Sequence, residues 1–219
     1  AKTLQDANRL VAMIKADSKL SAAIENWTQL SIEQQIPHLR KVFALECRSM
    51  GIAEPKLVID NHSYPGKMVY FDFDLSHYAV KDSTAISAVG TVYLNPDKLA
   101  QQDKFASLAF LIHETRHSYQ YQLSQQQQIE VSQIAVLSSG YQAAFTAQKN
   151  LKGLGFSDFL TLLNEYEAFQ YGNYVLGKLT HWQVDMLNMG TFASQFDNQG
   201  QLKLDLIALS QQSVNSSKA

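Results

Sequence analysis

Three residues in the stretch "LIHETRHSYQ", positions 111–120, have the types and spacing of a metal centre. His113 and His117 stand four apart. On a helix they lie one above the other on one face, and their imidazoles offer two of the four tetrahedral positions of a Zn²⁺. Glu114 is rotated by about 100° from His113, so it does not ligate. It stands beside the ion, placed to take a proton from water and pass it to a leaving amine. Zinc lowers the pKa of a bound water to about 7, which makes hydroxide available at neutral pH. The chemistry expected of this arrangement is hydrolysis of a peptide bond.

Context strengthens the pattern. With 6 histidines and 8 glutamates in 219 residues, H-E-x-x-H arises in roughly one shuffled chain in two hundred. The preceding "FASLAFLI" is nearly all apolar, so the helix is expected to be buried where the metal would sit. Buried imidazoles and carboxylates destabilise a fold unless they are partnered, and one ion would partner all three. The competing reading is a polar stripe on the solvent face of an amphipathic helix.

A catalytic zinc needs a third protein ligand and an open position. His38, His62, His77 and His181 are scattered through the chain. "LLNEYEAFQYG", 162–172, carries Glu165 and Glu167 in an otherwise apolar and aromatic helix. Buried carboxylates need a partner, and a metal would serve. These residues alone leave the choice between the two glutamates open.

H-E-x-x-H followed on a later helix by N-E-x-x-A resembles the gluzincin branch of the zincin metallopeptidases, which includes thermolysin-like enzymes and the smaller minigluzincins. The resemblance implies Glu165 as third zinc ligand beside His113 and His117, with Ala168 at the small position, Asn164 just before the ligand, and Glu114 as general base and acid. The family's frequent acidic residue four after the ligand is Phe169 here. Orientation of the histidines then falls to Glu167, Gln120 or Asn164, with Glu167 also the reserve ligand. "GTVYLNPDKLA" is similar to the edge strand ahead of the active-site helix in these small peptidases, which pairs with extended substrate. That similarity would bring the backbone around Ala88–Val92 to the cleft. The resemblance spans about 85–175. The "HExRHxxQ" form, with Arg116 and Gln120, also resembles peptidase domains at the ends of bacterial toxins and effectors.

Other residues have supporting parts. Gln120 shares the metal-facing stripe and is expected either to bond a ligand or substrate, or to emerge from the core. Arg116 faces elsewhere and is expected to pair with a carboxylate. An oxyanion-stabilising group is wanted. Tyr119, Tyr166, Tyr171, Tyr174 and His181 are the candidates, and His181 is chosen because it follows the Glu165 helix by one short turn. Asp72 and Asp74 alternate with Phe and are expected to mark a strand's solvated face.

These groups must be held by a framework, and the sequence predicts an α+β fold of zincin type arranged as one domain over 1–219. Residues 1–55 read as helical, with Leu10, Ile14, Leu20 and Ile24 at helical spacing, Ser31 as an N-cap and Gly51 as a stop. Pro37 is expected to kink the second long helix or to begin it. Residues 56–98 read as a small twisted sheet of three or four strands from "KLVID", "MVYFDFD" and "AISAVGTVYLN". Residues 99–180 read as three helices, the last capped by Ser157 after a "GLGF" hinge, and 181–219 as a helical tail.

Composition narrows the classes. The net charge of −2 and pI near 6.3 give no basic surplus to neutralise phosphate, so nucleic acid is not an expected partner. No apolar run approaches the roughly 20 residues of a membrane span. Cys47 is the only cysteine and is expected to be an apolar packing residue. The compartment stays open. An alanine start fits signal cleavage or a cloned domain, with secretion, export or effector delivery set ahead of the cytoplasm. The expected function is that of a zinc metallopeptidase with a peptide or protein substrate. Alternatives are an effector, toxin or peptidoglycan-peptide hydrolase with one narrow target, and a non-catalytic scaffold with a structural or vestigial metal.

Overall fold

The computed structural model describes residues 2–73, 88–126, 133–149 and 162–183, with Leu206, Ala208, Ser210 and Gln211. The first fifty residues are helical, as their periodicity predicts. Helix α1 (Lys2–Ala16) is broken from α2 (Ser18–Glu25) at Asp17, whose side chain accepts from the Leu20 N–H at 3.0 Å. Such a cap satisfies one of the donors a new helix leaves unpaired. Leu10, Ile14, Leu20 and Ile24 are all buried. A 3₁₀ turn (Trp27–Gln29) leads to α3 (Ile32–Met50), which opens with a reciprocal capping box between Ser31 and Gln34. Pro37 lies within α3 and does not start it. Its missing N–H deprives only the carbonyl of exposed Glu33, which water can satisfy. Gly51 ends α3 in the left-handed conformation at φ 67°.

Three strands form a sheet of order β1-β3-β2, from β1 (Lys56–Ile59), β2 (Val69–Asp72) and β3 (Thr91–Leu94). β1 pairs parallel with β3 and β2 pairs antiparallel with it. Two expectations are corrected here. β3 is the middle strand, with both sides taken, so Thr91 and Val92 offer no open edge to a substrate, and Ala88–Val89 form a turn before it. Asp72 is not solvated: it is buried and accepts from the Tyr64 hydroxyl at 2.7 Å. Gly90 is required where it stands. Its φ is +95° and a Cβ there would run into the Phe71 ring.

After a short α4 (Pro96–Leu99), capped by Asn95, the chain enters α5 (Ala106–Ser124). α5 packs against α3, α6 (Gln133–Lys149), α7 (Leu163–Leu179) and strands β2 and β3. A helix enclosed on so many sides has no solvent face, and 16 of its 19 residues are buried. α7 begins after Leu162, without a side-chain cap. The expected hinge at "GLGF", Ser157, Asp74, His77 and most of the 181–219 tail lie outside the described residues. One hydrophobic cluster joins all these helices to β2 and β3, and it includes Cys47.

Candidate metal centre

The competing surface-stripe reading of the H-E-x-x-H helix fails on burial. His113, Glu114 and His117 are 4, 8 and 3% exposed, and Glu165 on α7 is 4% exposed. α5 and α7 approach closely there: a Cβ added at Gly172 of α7 would touch the His113 backbone nitrogen and Cβ at 3.8 Å. This places the Glu165 carboxylate across both imidazoles. His113 Nε2 lies 3.1 Å from Glu165 Oε2, His117 Nε2 lies 3.0 Å from Glu165 Oε1, and the two Nε2 atoms are 3.1 Å apart.

Zinc held at about 2.0–2.2 Å by two nitrogens and an oxygen requires neighbouring donors about 3.3–3.5 Å apart. The two Nε2 atoms sit within a few tenths of an ångström of that spacing, and each faces its own oxygen of the Glu165 carboxylate at 3.0–3.1 Å, so the residues fit a metal. Two imidazole nitrogens and a carboxylate in contact also need a positive charge among them, supplied by a metal or by a proton. The titration behaviour agrees. Burial alone would push the His117 imidazolium pKa down, but the Glu165 carboxylate overrides it and raises it to about 9. Burial would raise Glu165, and His117 and His113 instead hold its carboxyl far below the usual carboxylate range. Glu114 is raised by burial, against the lowering pull of His113 and His117.

The ring positions are fixed by their neighbours. The His117 Nδ1 lies 2.8 Å from the Gln120 amide oxygen. The Gln120 amide nitrogen donates to the Asn164 carbonyl and to Glu167 Oε1, both at 2.9 Å. Phe169 packs on the His113 ring with centroids 4.1 Å apart, and the buried His113 Nδ1 has no hydrogen-bond partner among the described residues. Phe71 and Phe145 stand 6.0 and 6.3 Å from the His117 ring, so aromatic rings line this side of the site.

Glu167 does not join the donor triangle. Arg116 holds it with Nε at 2.9 Å and Nη2 at 2.8 Å, and the Thr3 hydroxyl donates to it at 2.7 Å. Arg116 also donates to Asp6 at 2.9 Å and lies between the Tyr119 and Tyr171 rings. His181 is not brought to the centre. It follows the far end of α7, whose last residue, Leu179, lies about 21 Å along the helix axis from Glu165, and its exposed ring faces Glu25 at 3.8 Å. The physical reason is direction: α7 carries the chain away from Glu165, which sits in its first turn. Tyr174 bonds to Asn8. His38 packs edge-on to Trp27 and His62 lies in an exposed turn.

Thr3 and Asp6 were not expected here. Both lie on the α1 stripe of Leu10 and Ile14, and a polar residue on a core-facing stripe is the one signal that marks a buried partner. Gln148 of α6, whose amide lies 3.4 Å from Glu165 and accepts from Asn164 at 2.8 Å, gave no such signal. No family model, no curated protein and no solved structure matches the chain.

Proposed function

We propose that this chain is a zinc-dependent hydrolase of peptide bonds, with His113, His117 and Glu165 as metal ligands and Glu114 as general base and acid. The observation that carries the reading is the buried cluster in which two Nε2 atoms 3.1 Å apart each face one oxygen of the Glu165 carboxylate at 3.0–3.1 Å, with a second carboxylate one residue from His113. Two nitrogens and one oxygen are a donor set suited to zinc, and three protein ligands leave a fourth position for reactants. Zinc held by these three residues would supply Lewis-acid polarisation and an acidified water. Glu114 accepts the proton that water loses and returns it to the departing amine. Gln120 keeps the His117 lone pair on Nε2 directed at the metal. The aromatic rings around His117 exclude water, which strengthens every electrostatic contact in the site. The resemblance to gluzincins supports the peptide bond as substrate.

The test is Glu114→Gln, assayed on a proteome-derived peptide library beside metal analysis. Full zinc content with hydrolysis lost by at least about a hundredfold is expected. Undiminished cleavage by the variant would refute the assignment of Glu114. Zinc binding without any cleavage by the unmodified protein would favour a structural metal instead.

A further inference from the structure

Gln120 presents its oxygen to His117, and an amide is free to turn by 180° unless its neighbours forbid it. Two neighbours do. Its nitrogen faces the Asn164 carbonyl and Glu167 Oε1, both at 2.9 Å. Neither is a donor, so the amide oxygen cannot occupy that side. It must face His117 Nδ1, which therefore carries the hydrogen and leaves Nε2 with the lone pair a metal needs. The direction of Gln120 is thus set jointly by the Asn164 carbonyl and the Glu167 carboxyl oxygen.

Glu167 is fixed from outside the centre. Arg116 forks onto it, and Thr3 of the N-terminal helix donates to Oε2 at 2.7 Å. Asp6, one turn further along α1, holds the other arm of Arg116 at 2.9 Å. Thr3, Asp6, Arg116, Gln120 and Glu167 are all at most 3% exposed. We propose that helix α1 is a working part of the metal centre, with Thr3 and Glu167 as positioning residues: Thr3 and Arg116 fix the Glu167 carboxylate, Glu167 fixes the Gln120 amide, and the amide fixes the ring and tautomer of His117. This inference rests on the zinc reading above. It assigns a role to the N-terminal segment, which lies outside the span of the peptidase resemblance.

The test measures Zn²⁺ affinity by chelator competition, together with the melting temperature of the metal-free protein, for the unmodified chain and for Thr3→Val, Thr3→Ser and Gln120→Leu. Gln120→Leu should weaken zinc binding by about 10–100-fold, the range for partners of ligating histidines. Thr3→Val should weaken it by roughly threefold or more, and Thr3→Ser, which keeps the hydroxyl, should restore it. In zinc-loaded protein, the ¹⁵N signal of His117 Nδ1 should move in Gln120→Leu and Thr3→Val and stay in place in Thr3→Ser. A role confined to packing would lower the metal-free melting temperature and leave affinity and the His117 signal unchanged. That result would overturn the proposal while the zinc reading stands. Failure of the unmodified protein to bind zinc would overturn the reading itself and this inference with it.

Discussion

Removing the metal should leave His117 as a protonated imidazolium far above its ordinary range. In the metal-free protein the imidazole lies 3.0 Å from the Glu165 carboxylate, and its pKa rises from 6.5 to about 9 although burial opposes the charge. That rise corresponds to on the order of 3 kcal/mol of differential interaction. At pH 7 about 99% of the rings would be charged, so zinc must displace a proton from His117, and lowering the pH from 7 to 6 costs about tenfold in affinity through this group. A pKa raised on folding adds stability that is present in full below 6.5 and is lost as pH rises through about 9. The metal-free protein should therefore lose stability across that window, and zinc should restore most at its upper end. The assay is an NMR titration of the histidine ring signals in chelator-treated protein, with Glu165→Gln beside it. The expected midpoint for His117 is near 9 in the unmodified chain and clearly lower in Glu165→Gln, where only Glu114 and Gln120 remain to oppose burial. A midpoint at or below 6.5 in the unmodified protein would show that the cluster does not share a positive charge, and the electrostatic description of the centre would be wrong.

Other perturbations separate the ligands from their supports. Glu165→Ala should abolish stoichiometric zinc uptake, read by metal analysis after dialysis, whereas Thr3→Ser should not. Arg116→Met leaves the Glu167 carboxylate buried without its cation, while Asp6 keeps Lys2 and Arg9, and should lower the unfolding free energy by about 3–5 kcal/mol in denaturant titration. Glu46 is fully buried, and burial, against the opposing pull of Arg116 and the Tyr171 hydroxyl, raises its carboxyl well above the usual range. Folding therefore holds Glu46 protonated, and stability falls as pH rises above 4.5 because only the unfolded chain ionises. Glu46→Gln should raise the denaturation midpoint at pH 7, with the gain shrinking as the pH approaches 4.5. Glu167 behaves in the opposite sense. Burial would raise it, but Arg116, Thr3 and Gln120 lower it, so its contribution is present above 4.5 and is lost as pH falls through its depressed value.

Much of this was legible from residue type and spacing. An interval of four on a helix fixes that two histidines share a face, whatever the rest of the chain does. The apolar run before His113 indicated burial, and Ser31, Gly51 and the first two strand segments marked their own boundaries to within a few residues, because caps and turns are local chemistry. Cys47 and Arg116 took the parts their types suggested. Spacing could not choose between Glu165 and Glu167, two residues apart on one helix and therefore about 200° apart around it. Only the approach of α7 to α5 turned Glu165 onto the imidazoles and Glu167 onto Arg116. Nor could sequence order place His181, whose nearness to Glu165 along the chain became a separation along a helix axis. β3 became the middle strand through its parallel pairing with β1, a contact between segments more than thirty residues apart. The sequence by itself determined a helix able to present two imidazoles and a base. Tertiary structure decided which carboxylate meets them and that the first helix of the chain stands behind the second histidine, because those outcomes depend on how rigid elements are rotated against one another.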